Sequence, residues 1–337
     1  MVNHERLPST AEQKAGETLD RMAHALAEAA AAAEPDERRS LLEIFPEPGE
    51  RRADTEFNLP PEQEEKFREA MAKLGIGRET NLTATEVGLR DDYVAIIEGG
   101  QAHKMVAELD TVLSDKFTKP SAIFVAASPE RAIPAAEVDK AKERETTARV
   151  LGIDVDDVMH TEYDVAQQII YKTPGLYPDR VLIPNFGYNL DGQLLAGEAT
   201  GQFKRIGRID HVIPVYLLRV DREYSEGGKY RTLGVKSLIR VIDGLLNHEG
   251  RDADIGFVTS ATYQPSRETD ATSAMLEIER QGGSRNVGVI TYGTHTLAEV
   301  KKETYPAPPA LGQLAGEAHK AAKQVEFLRD LLGPEAE

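Results

Sequence analysis

The chain contains no cysteine. That excludes disulfides, thiol nucleophiles and zinc held by thiolates, and it suits a reducing compartment. Positive charge is also in short supply: 40 Lys and Arg stand against 57 Asp and Glu, a formal charge of −17. So acidic a surface repels phosphate backbones, which argues against a nucleic-acid partner. No apolar run approaches the roughly 18 residues of a spanning helix. The opening MVNHERLPSTAEQK lacks the basic-then-apolar order of a secretion signal. The expectation is a cytoplasmic protein with no membrane partner.

Several signatures are missing too. There is no G-x-G-x-x-G dinucleotide fingerprint, no G-x-x-x-x-G-K-[ST] phosphate loop and no G-x-S-x-G nucleophile elbow. His248-Glu249 lacks the second histidine of H-E-x-x-H, and no histidine pair has metal-ligand spacing on one helix, so no metal centre is expected.

What is present is enough for a core: 337 residues, 40% of them hydrophobic. Residues 1–90 read as a helical extension with a Pro-rich linker. Leu19, Met22, Ala23, Leu26 and Ala30 fall on one face of a helix over 9–33, and an alanine run makes that face shallow. Prolines 35, 46, 48, 60 and 61 punctuate a linker carrying one short helix, 37–44. A further helix over 62–74 ends at Gly75, where a left-handed cap belongs.

Beyond Arg90 short apolar runs alternate with helical patterns, the signature of a doubly wound, mostly parallel Rossmann-like α/β sheet over 91–305. Strands are expected at 93–98 (YVAIIE), 121–127, 157–163, 211–220, 254–260 and 287–292, and helices at 101–113, 135–151, 233–246 and 267–280. A final helix, 312–332, is expected to pack on this domain. The stretch 171–210, rich in glycine and proline with a strand candidate at 180–183, reads as a long functional insertion or lid.

Ligands of open α/β sheets bind beyond the carboxyl ends of the strands. The first strand ends in Glu98-Gly99-Gly100 and opens into a helix. Glycines let backbone N–H groups approach an anion, and the helix terminus adds partial positive charge. The alternative is simply a tight turn. The fifth strand ends in Thr259-Ser260, with Tyr263 and Arg267 following. Hydroxyls and a guanidinium suit a phosphate or carboxylate, and they equally suit helix capping. The third strand delivers Glu162 and Asp164, and the sixth delivers Gly293 and His295, whose imidazole titrates near neutrality. Asp154, Asp156 and Asp157 read as solvated surface.

These features, in this order, resemble the SanA/ElyC/YdcF family of Rossmann-like proteins. Gly99-Gly100 matches its first glycine turn and Ala127-Ser128 its second small-residue turn. Gly152-Ile153 followed by Glu162 matches the third, and Val258-Thr259-Ser260 with Arg267 matches the late strand-to-helix turn. The resemblance spans about 93–292, interrupted by the long segment around 171–247. Tyr263 replaces the family histidine, Arg267 lies one residue further on, and Gln167 and Gln168 stand where Thr and Asn are usual. The resemblance implies S-adenosylmethionine binding in one branch and envelope metabolism in others. The missing histidine implies binding without catalysis, if the family chemistry uses it.

The expectation is a Rossmann-like protein binding a nucleotide- or S-adenosylmethionine-like anion, as a hydrolase or transferase. Gly99, Gly100, Ser128, Thr259, Ser260, Tyr263 and Arg267 would hold the ligand, and Glu98, Glu162 and His295 would serve acid–base roles. The alternative is a non-catalytic sensor or assembly protein whose N-terminal helices dock a partner or a second copy.

Overall fold

The computed structural model describes residues 9–33, 40–47, 57–129, 131, 133, 138–174, 176–177, 182–183, 213–219, 223–224, 230–231, 234–302 and 309–333. Its helices, in chain order, are α1 (Thr10–Ala33), α2 (Leu41–Ile44), α3 (Pro61–Lys73), α4 (Ala102–Ser114) and α5 (Val138–Leu151). Then come α6 (Glu162–Lys172), α7 (Val235–His248), α8 (Gln264–Arg280), α9 (Thr294–Lys301) and α10 (Leu311–Leu332). The long strands are β1 (Val94–Glu98), β2 (Ala122–Ala127), β5 (Ile213–Arg219), β8 (Ile255–Ser260) and β9 (Val287–Tyr292). Four two-residue strands complete the set: β3 (Leu176–Tyr177), β4 (Leu182–Ile183), β6 (Glu223–Tyr224) and β7 (Tyr230–Arg231).

The chain divides into two compact units. The α/β unit comprises residues 79–260 and 285–306. Its parallel sheet runs β3-β5-β2-β1-β8-β9, with β4 also paired to β5, and the fold is Rossmann-like α/β. The strands are almost wholly apolar because both faces are buried. On one face Ala95, Ile97, Ile123, Val125, Val215, Leu217, Val258 and Ile290 pack against Met105 and Leu109 of α4 and Val165, Ile169 and Ile170 of α6. Alternate residues point the other way, where Phe124 stacks on Tyr216 at 5.0 Å. The amphipathic α7 packs along β8.

The helical unit comprises 1–78, 261–284 and 307–337. Leu19, Met22 and Leu26 of α1 share a core with Phe67 and Met71 of α3 and Leu314, Ala318, Val325 and Leu328 of α10. Alanines on α1 and α10 allow this close approach. The N-terminal helices are therefore no appendage: the apolar face of α1 is covered within its own unit. The C-terminal helix, expected on the α/β domain, belongs to this helical core, because its apolar stripe matches α1 and α3. Gly75 adopts the expected left-handed conformation, φ 88°, just past α3.

The strand expected at 157–163 is absent. A 3-10 turn, Val155–Asp157, leads instead into α6, whose N-cap Thr161 accepts a hydrogen bond from the Asp164 N–H at 3.1 Å. The polar spacing that suggested a strand end is a helix N-cap, and Val165, Ile169 and Ile170 continue at helical intervals. Asp154, Asp156 and Asp157 are exposed. Apart from residues 171–174, β3 and β4, the insertion expected over 171–210 lies outside the described residues. No described helix is long and apolar enough to cross a membrane.

Candidate functional site

Strand order fixes where a ligand would sit. The chain runs from β1 outward to β2 on one side, then crosses to β8 on the other, so the order reverses between β1 and β8. Register aligns Ile97 with Val258, which brings Glu98-Gly99-Gly100 and Thr259-Ser260 to one edge on adjacent strands. Ser260 in turn lies opposite Tyr292 of β9.

At this edge Gly99 and Gly100 play different parts. The Gly99 N–H donates to the Ala126 carbonyl at 2.5 Å. A Cβ on Gly99 would run into that carbonyl and the Glu162 carboxylate, with the Ala127 Cα only 2.9 Å away. Gly99 is glycine because three groups converge on it. Among the described residues nothing lies within 4 Å of a Cβ placed on Gly100, so a side chain there would meet open space. Gln101 caps α4 in extended conformation, with no side-chain hydrogen bond to its amides. A helix N-terminus left in that state is suited to negative charge.

Glu162, the first residue of α6, is 4% exposed and already engaged. Its Oε2 accepts from Arg131 Nη1 at 2.6 Å and its Oε1 from the Ser128 N–H at 3.2 Å. Arg131 Nη2 reaches Glu143 at 3.2 Å, and the Arg131 carbonyl accepts from the Glu162 N–H at 3.0 Å. The Tyr163 N–H donates to the Ser128 carbonyl. Ser128 itself is fully buried. The structure therefore brings Glu162, Ser128 and Gly99 together as a clamp joining α6 to the ends of β1 and β2. Below it, buried Arg144 donates to the carbonyls of Ile133, Val155, Val158 and Met159, holding the turn that carries α6. Asp164, taken up in the Thr161 cap, accepts from its hydroxyl at 2.7 Å.

The remaining expected residues have settings of their own. Gly293 is tight because the Glu79 backbone lies against it, and its N–H donates to Asn81 at 2.9 Å. His295 has a side chain 63% exposed and stands 3.6 Å from Glu79, so the acid–base role expected of it has no enclosed setting. Tyr263 caps α8 and Arg267 pairs with Asp270 at 3.6 Å, both in the helical unit.

Sequence reading missed Arg131, Glu143 and His103. His103 follows Gly100 by three residues, at the second position of α4. It is 9% exposed. Burial, then Lys301, Lys104 and Arg149, hold its pKa down to about 4, so the imidazole is neutral at pH 7. Its proximity to the glycine turn was the one available signal.

No family model, curated protein or solved structure matches this chain.

Proposed function

We propose that this protein binds a nucleotide- or S-adenosylmethionine-like anionic small molecule at the carboxyl edge between β1 and β8. One observation carries the reading: the reversal of strand order at these two strands, which in open α/β sheets is where ligands lie. In this reading the anionic group rests on the amides of Gly100 and the first turn of α4, and Ser260 and Thr259 supply hydroxyls from the neighbouring strand. The resemblance to SanA/ElyC/YdcF proteins points the same way. Binding is favoured over turnover because Glu162 is occupied by Arg131 and Ser128, and His295 is exposed. Glu98, the half-buried last residue of β1, is the acid–base group at this edge in the reading of a hydrolytic or transfer step.

A thermal-shift screen tests this, using S-adenosylmethionine, S-adenosylhomocysteine, adenine and uridine nucleotides, nucleotide sugars and nicotinamide cofactors. A ligand at a hundred times its Kd adds about 2.7 kcal/mol and raises Tm by roughly 5 °C. Gly100→Asp sets a carboxylate in open space without backbone strain and is expected to abolish the shift. A panel that leaves Tm unmoved, or a shift that survives Gly100→Asp, contradicts the reading.

A further inference from the structure

Three neighbouring strands carry a polar residue at the same level. β1 reads VAIIE, β8 IGFVTS and β9 VGVITY. Register sets Ile97 opposite Val258 and Val258 opposite Ile290. The next residues, Glu98, Thr259 and Thr291, therefore form one row across β1, β8 and β9. Ile97, Val258 and Ile290 lie in the core shared with α4 and α6. Side chains alternate between faces along a strand, so Glu98, Thr259 and Thr291 all stand on the face away from α4.

Two details set this row apart from ordinary packing. Glu98 alone among the five residues of β1 is not buried. Thr291 is fully buried, and its hydroxyl has no hydrogen-bond partner among the described residues. A valine would fill that place without stranding a hydroxyl, so packing gives no reason for threonine there. Neighbouring strands lie about 4.8 Å apart, which sets a carboxylate and a hydroxyl side by side where β1 meets β8.

The two sides of this edge are chemically opposite. Toward α4 stand the backbone amides of a helix N-terminus, which favour negative charge. On the other side the Glu98 carboxylate repels an anion and accepts from hydroxyls. A carboxylate has about four acceptor sites, so it takes two ligand hydroxyls alongside contacts within the protein.

We propose that Glu98 and Thr259 recognise a vicinal diol, the ribose 2′- and 3′-hydroxyls of the ligand. Glu98 accepts from both hydroxyls, and Thr259 donates to one of their oxygens. The row thereby sets the direction of binding, with the anionic group toward α4 and the sugar toward Glu98. This inference rests on the reading that a nucleotide- or S-adenosylmethionine-like ligand lies at the β1–β8 edge. Both ligand classes carry this ribose.

The test is isothermal titration calorimetry on the full chain with ADP, UDP and S-adenosylhomocysteine. Each nucleotide is set beside its 2′-deoxy form, and inorganic pyrophosphate probes the anion end alone. The ribo form is expected to bind about ten- to hundredfold more tightly, the worth of a hydrogen bond to a charged group. Glu98→Ala is expected to bring the two forms to equal affinity and to weaken S-adenosylhomocysteine by a like factor. Glu98→Gln, alike in shape but uncharged, is expected to narrow the preference, and it carries the test if the alanine variant does not fold. Equal affinity of the parent for ribo and deoxy forms overturns the proposal. So does a ribo preference, or S-adenosylhomocysteine binding, that the variants retain in full. In either case pyrophosphate binding that is lost in Gly100→Asp leaves the anion reading standing. If none of these compounds binds, both readings fall.

Discussion

Arg131 sets Nη1 2.6 Å from Oε2 of Glu162, in a place where the other carboxylate oxygen already accepts from the Ser128 N–H. This pairing turns the most conspicuous acidic residue of the strand-end region into a structural bolt. It ties the first turn of α6 to the end of β2 and presses a carboxylate against Gly99. A carboxylate so held positions the edge on which a ligand would rest.

Glu162→Ala leaves Arg131 with Glu143 alone, and removes the acceptor of a buried N–H. A broken buried pair costs 3–5 kcal/mol; with Arg131 partly open to solvent, about 2 kcal/mol is expected. Urea denaturation reads it directly. A variant as stable as the parent would show the clamp to be dispensable.

The two glycines separate structure from binding. Gly99→Ala meets backbone it cannot displace and should cost about 1–3 kcal/mol. Gly100→Ala meets none of the described residues and should leave stability within about 0.5 kcal/mol of the parent. Equal losses at both positions would contradict the separate roles of the two glycines.

His103 gives stability an acid limb. Its pKa is about 4 in the folded chain against 6.5 for an exposed imidazole. Between those values the unfolded chain binds the proton and the native one does not, so stability is full above pH 6.5 and falls as pH drops toward 4. The loss is about 3 kcal/mol over that window. His103→Gln should flatten this limb in denaturant midpoints measured from pH 7 to pH 4, and an unchanged slope would place the acid sensitivity elsewhere.

Removing residues 1–33 tests the docking alternative. The cut strips Leu19, Met22 and Leu26 from a core shared with α3 and α10. Large-to-small changes at even one such position cost about 2–5 kcal/mol. The truncated chain should therefore lose its cooperative helical unfolding, or aggregate. A well-folded truncation that had only lost a partner would favour docking instead.

Much of the α/β unit was legible because strands buried on both faces leave uninterrupted apolar runs. Residues 93–98, 254–260 and 287–292 each enclose the strand observed. The third strand was misread because Thr161 and Asp164 carry cap chemistry that resembles a polar strand end. The placement of α10 was hidden for a different reason. Its apolar stripe fits any apolar face, and which face it meets is a long-range matter that periodicity does not encode. Among site residues, the Gly99-Gly100 turn announced itself by composition. Arg131 did not, since only the fold brings it to Glu162, 31 residues away in sequence.

The most direct measurement of the central claim is a map of backbone amide shifts on adding the best ligand from the screen. The account predicts that Gly99, Gly100, Gln101, Thr259 and Ser260 move together and saturate with one Kd. Perturbations confined to the helical unit, with those five amides unmoved, would contradict it.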